Sequence, residues 1–129
     1  MKKIFFLLLL GSLLWSCKKN LFDYRNKFIG DYNFLVHKTA WSLSGPFIDT
    51  TYSYQGRIQI GSASDKIFIN FSEITSMETY IYEDGTVSIS FSPHQSLIGE
   101  FESTKALKFI LSNNGLGGGS NYTVSGRKK

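Results

Sequence analysis

Met77-Glu78-Thr79-Tyr80-Ile81-Tyr82-Glu83-Asp84-Gly85-Thr86-Val87-Ser88-Ile89-Ser90-Phe91 is the stretch on which the fold turns. Met77, Thr79 and Ile81 alternate with polar residues, Asp84-Gly85 interrupts the pattern, and Val87, Ile89 and Phe91 resume it. An alternation of period two places every second side chain on one face of a strand. An Asp-Gly pair between two such runs predicts a hairpin, here with a type I′ turn and positive φ at both central residues.

The same pattern continues outward in both directions. Upstream, Ile67, Ile69 and Phe71 alternate, preceded by Tyr52, Tyr54, Ile58 and Ile60, with Gly56 marking a bend or bulge. Tyr32, Phe34, Val36 and Ala40 share one face of the first strand. Asn33, His37 and Thr39 lie opposite, beside Leu35 and Trp41, which make that face partly apolar. Downstream, Leu97–Glu102 forms one more strand and Leu107, Phe109 and Leu111 another; Asn113–Ser120 reads as a glycine-rich loop before Tyr122 and Val124. No convincing 3.6-residue period occurs after Phe28; at most one helical turn fits near Ser72–Ser76. About eight strands with short connections predict an all-β, antiparallel up-and-down meander, which can close and so remove its exposed edges.

The first seventeen residues carry a different message. Met1-Lys2-Lys3 is basic, Ile4–Trp15 is an apolar run, and Leu14-Trp15-Ser16-Cys17 ends in the chain's single cysteine. Twelve residues at about 1.5 Å each reach roughly 18 Å, well short of a ~30 Å hydrocarbon core, which fits a signal segment and not a spanning helix. Leu14, Ser16 and Cys17 resemble the lipobox of bacterial lipoproteins. That resemblance implies cleavage before Cys17, acylation of its thiol and anchoring at the cell envelope. Two or more acyl chains are needed for stable residence. Lys18-Lys19 lacks the aspartate of inner-membrane retention, so the outer membrane is the expected site, on its periplasmic or surface side. The resulting organisation is a signal peptide over 1–16, a lipid-anchored tether over 17–27 and one domain over 28–129.

Composition narrows the function classes. The formal charge is +4, but the positive residues gather at the ends. Between Asn20 and Gly126 there are seven Lys or Arg against ten Asp or Glu, a net of −3. A nucleic-acid binder needs a basic patch on its folded surface, so that class is set aside. His37 and His94 have no second ligand at metal spacing, and no Gly-x-Ser-x-Gly elbow is present. Glu100 and Glu102 alternate with Phe101 and are expected to face water together. No cofactor, metal or catalytic residue is expected.

Phe28-Ile29-Gly30-Asp31-Tyr32 at the start of the first strand and Tyr122–Arg127 in the last resemble the calycin pattern of lipocalins and fatty-acid-binding proteins. There, a Gly-x-Trp in the first strand packs its ring against a basic side chain near the C-terminus. By that resemblance Gly30 and Tyr32 take the Gly-x-Trp positions and Arg127 the basic one. The chain is also similar to small calycin-like lipoproteins of Gram-negative bacteria. The implied protein is a non-enzymatic, lipid-anchored barrel that binds a small apolar ligand or an envelope protein; the alternative is a filled barrel acting as an accessory or inhibitory module. Strand parity points Tyr32, Phe34, Tyr52, Tyr54, Phe91, Phe101 and Phe109 inward, making them the candidate pocket lining. An eight-stranded barrel is just wide enough to be filled by side chains or to hold one small ligand.

Overall fold

The computed structural model describes residues 22–89 and 95–129. Cys17, the signal segment, Phe91 and His94 lie outside the described residues. A 3₁₀ turn, Tyr24–Lys27, precedes eight strands: β1 (Gly30–Ser42), β2 (Ile48–Ile60), β3 (Lys66–Asn70), β4 (Ser76–Ile81), β5 (Thr86–Ser88), β6 (Gln95–Ser103), β7 (Ala106–Gly115) and β8 (Gly118–Lys128). Each pairs antiparallel with its sequence neighbour, and β1 also pairs with β8, so the sheet closes into an up-and-down barrel. Burial alternates along β1, β3, β4 and β7 as the sequence period requires, because successive side chains in a pleated strand point to opposite faces. The core is drawn from inward positions on all eight strands, with Phe28 beneath them, so the described strands bury their apolar side chains among themselves.

The wall has two heights. β2 pairs with β3 only from Arg57 to Ile60, yet with β1 from Ile48 to Ile58. β8 likewise follows β1 as far as Ser42. The strands β7, β8, β1 and β2 therefore stand well above the short β3, β4 and β5. The lower half is enclosed on every side, whereas the upper half is backed only by the tall strands among the described residues.

Three expectations are corrected. The Tyr82–Thr86 loop is not a type I′ turn: Gly85 has φ +96°, and among the described residues no non-glycine has positive φ. The Gly85 N–H donates to the Tyr82 carbonyl (3.0 Å) and the Tyr82 N–H to Thr86 (2.9 Å). This is a type I turn closed by a left-handed glycine, which keeps Asp84 at negative φ. The Asp84 carboxylate accepts the Thr86 N–H at 2.8 Å, and that bond holds its pKa below the ordinary value. Secondly, β7 and β8 run through the stretch expected as a loop and leave only Leu116-Gly117 between them. Thirdly, Ser72–Ser76 is no helical turn; the Ser72 hydroxyl accepts the Thr75 N–H at 2.8 Å in a bend.

Residues 23–27 fold onto the barrel, where the polar sequence predicts tether. Asp23 caps the 3₁₀ turn, and its carboxylate receives the Arg25 guanidinium at 2.6 Å. The buried Arg25 also donates to the carbonyls of Ala63 (2.5 Å) and Lys66 (2.8 Å), and the Tyr24 hydroxyl donates to Ile81 (2.7 Å). Three backbone acceptors at the barrel rim are thus satisfied by a plug that closes the lower end.

Candidate functional site

The lower interior is filled. Phe28 lies 4.3 Å from Phe101 between ring centroids, and Tyr32 stacks on Phe34 at 5.7 Å. Phe34 fits because its ring lies over two glycines, Gly126, its partner on β8, and Gly56, diagonal to it on β2. A Cβ at Gly126 would approach the Phe34 ring to 2.6 Å, and one at Gly56 would meet it at 2.9 Å and the Asn70 carbonyl at 1.9 Å. Those two missing side chains make the slot for the ring. Of the predicted pocket residues, Tyr32, Phe34, Phe101 and Phe109 are thereby packed core.

The Tyr32 hydroxyl donates to the Phe28 carbonyl at 2.7 Å, and burial pushes its pKa up to about 12. A raised pKa means the folded state holds the proton more tightly than the unfolded chain does. Stability from this group is fully present below pH ~10 and falls as pH rises towards 12, by at most about 3 kcal/mol. In alkaline titrations followed by circular dichroism, Tyr32→Phe should lose about 1 kcal/mol at neutral pH through the missing hydrogen bond. It should also show a flatter decline above pH 10; an unchanged alkaline slope would contradict the assignment.

The barrel-closing contact differs from the calycin expectation. Tyr32 pairs with Lys128 across β1 and β8, and the parity of Tyr122, Val124 and Gly126 reaches Lys128, not Arg127. Arg127 is exposed on the outer face. Lys128 lies over Gly30, whose φ of +145° favours glycine, and its Nζ donates to the Lys27 carbonyl at 3.3 Å.

A floor separates the filled half from the open half. Phe71 meets Phe109 at 5.1 Å and Tyr122 at 5.9 Å, both edge to face. Above it the tall wall presents Tyr52 and Tyr54, both half-buried, with neither hydroxyl hydrogen-bonded among the described residues. Lys38 stands on the same inward parity, its Nζ 5.5 Å from the centre of the Tyr122 ring. No carboxylate pairs with it among the described residues. The structure therefore divides the predicted lining: Tyr52 and Tyr54 border the open half, four others do not, and Phe91 lies outside the described residues. Lys38 is the residue missed. The alternation that assigns Val36 and Ala40 inward assigns it too, but a pattern read by hydrophobicity passes over a lysine. The arrangement offers ring faces, two hydroxyls and one cation (a cation–π contact of the kind aromatic walls make) to a molecule that is mostly apolar.

The outer face carries a second feature. A recess of about 590 Å³ crosses β6, β7, β8 and β1, with Leu35, Ile98 and Ile110 exposed and Thr123 and His37 beside them. Ile98 pairs with Ile110, Ile110 with Thr123, and Thr123 with His37, so these side chains form one row. The His37 Nε2 lies 2.8 Å from the Asp49 carboxylate. Glu100 and Glu102 face outward as expected, with Glu102 paired to Lys108 at 2.6 Å.

No protein-family profile and no curated protein matches the sequence. Among solved structures, the chain is similar to one described as Odorant Binding Protein OBP1. The TM-score is 0.43 at 16% identity, over 81% of this chain and 73% of that one.

Proposed function

We propose that this protein is a non-enzymatic binding protein, held at the cell envelope by lipid on Cys17, whose upper barrel takes a small and largely apolar ligand. The observation that carries the reading is the division of the interior at the Phe71–Phe109–Tyr122 floor. Below it the residues of a calycin-like pocket are consumed by packing. Above it Tyr52, Tyr54 and Lys38 remain partly uncovered. Small-ligand sites are concave, mainly apolar and furnished with a few convergent polar groups, which is the composition of this wall. The anchor rests on the Leu14-Trp15-Ser16-Cys17 pattern and its single thiol.

A second reading, an accessory or inhibitory module with no ligand, is favoured by the apolar row on the outer face, since contiguous exposed apolar patches mark interaction surfaces. One purification separates the two. The protein is taken from the membranes of its own host and weighed twice. Under denaturing conditions its mass should be that of a chain beginning at acylated Cys17. Under native conditions it should carry a non-covalent adduct, with occupancy reduced several-fold in a Tyr52→Ala, Tyr54→Ala variant, given about 1 kcal/mol per ring contact. A bare native mass would leave the module reading. A chain without covalent lipid would overturn the anchor while leaving ligand binding to stand or fall by its own result.

A further inference from the structure

At the end of the barrel opposite the Tyr24–Lys27 plug, the two hairpins of the tall strands put large apolar side chains into solvent. β1 and β2 turn through Leu43–Phe47, and β7 and β8 through Leu116-Gly117. Trp41 is 42% exposed, Leu43 80%, Phe47 66%, Ile48 44% and Leu116 98%. The two tips are tied together: Ser42 pairs with Gly118, and the Leu43 N–H donates to the Gly117 carbonyl at 3.2 Å. Five apolar side chains are thereby gathered on one projecting tip.

Charge decides what such a tip meets. Neither residues 39–48 nor residues 110–121 contain a charged residue. The carboxylate just beyond, Asp49, is paired with His37. A surface that docks on a protein surrounds its apolar centre with a polar, charged rim. A surface that enters a bilayer must leave charge behind and must arrive with its backbone polar groups already paired. Here the β1–β2 ladder holds to Ala40–Ile48 and the β7–β8 ladder to Gly115–Gly118, so the apolar side chains are carried on a backbone that is bonded almost to its turns. Trp41 and Phe47 add the aromatic character of membrane–water interfaces.

We propose that this tip inserts shallowly into a phospholipid bilayer, with Trp41, Leu43, Phe47, Ile48 and Leu116 entering the region between headgroups and acyl chains. The contact is apolar and indifferent to lipid charge. It is independent of the ligand reading and of the lipobox reading of Cys17.

Trp41 is the single tryptophan after Trp15, so in residues 22–129 it reports on the tip alone. The barrel is mixed with vesicles of phosphatidylcholine, and with vesicles in which phosphatidylglycerol replaces part of it. Expected are flotation with both kinds, a blue shift of Trp41 emission, quenching by lipids brominated on their acyl chains, and little change with salt. Leu43→Ser with Leu116→Ser, two exposed sites whose replacement leaves the core intact, should weaken binding about tenfold or more and remove the quenching. Circular dichroism of that variant confirms its fold. Absence of both blue shift and quenching in the parent overturns the proposal. A concentration-dependent blue shift without vesicles would show that a second copy covers the tip, and also overturns it. Binding that needs phosphatidylglycerol and vanishes in salt would assign membrane contact to the lysines elsewhere and overturn it as well.

Discussion

Truncating Phe34 to alanine should destabilise the barrel by about 3–5 kcal/mol, and Phe109→Ala by a similar amount. Both rings are almost wholly buried. The size of the loss depends on whether neighbours can collapse into the vacated space. Around Phe34 they can do so only in part: Gly56 and Gly126, which lie against the ring, have no side chains to move inward, and the filling is left to side chains such as Tyr32, which stacks on it. Phe109 supports the floor through Phe71, so its loss should also loosen the boundary between the two halves of the barrel. Urea unfolding should show a large drop in midpoint with little change in slope. The comparison that matters is Tyr54→Ala, whose ring is half-buried at the open wall and whose truncation should be markedly milder. Equal losses at all three positions would mean that the upper half is packed as tightly as the lower, and the ligand reading would fail with that result.

Arg25→Ala should be the next most damaging change, at about 3 kcal/mol or more. Removing one partner of a buried pair leaves the other charge uncompensated, and here it also orphans the Ala63 and Lys66 carbonyls. Arg25→Lys should recover only part of the loss, since one ammonium cannot reproduce a planar fork shared between a carboxylate and two carbonyls. The hydrogen bond from Arg25 holds the Asp23 carboxyl below its ordinary pKa. A carboxyl lowered in the folded state contributes stability above its unfolded pKa and loses it as pH falls through the folded value. The gap between parent and Arg25→Ala should therefore narrow in acid. A gap that stays constant from neutral pH to acid would show that the carbonyl contacts, and not the ion pair, hold the plug.

Much of the barrel was legible because most of its strands obey period two. Ile67-Phe68-Ile69, Met77–Ile81 and Leu107–Leu111 each announce their buried face, and short connections leave antiparallel pairing of neighbours as the simple solution. Less legible was the function of residues 23–27. Asp23 and Arg25 are two positions apart in a polar stretch, and nothing local says that the rim of the barrel presents two carbonyls waiting for a guanidinium. The turn at Asp84-Gly85 was visible as a turn but not as a type, because a type I turn with a left-handed glycine and a type I′ turn can use the same dipeptide. The alternation that runs from Tyr122 through Val124 and Gly126 places Lys128, and not Arg127, beside Tyr32.

The division of the interior belongs to the tertiary structure alone. Parity says which side chains point inward, and it says so equally for Phe34 and Tyr54, because alternation depends only on the pleat of one strand. Whether an inward ring is packed or left open depends on what stands across from it. That is set by the register and length of other strands. β2 outruns β3 above Arg57, so Tyr52 and Tyr54 lose the wall that Ile58 keeps. The apolar tip has the same origin. Trp41, Leu43, Phe47 and Leu116 read in sequence as scattered residues of two separate turns, and only the pairing of β1 with β8 brings them together.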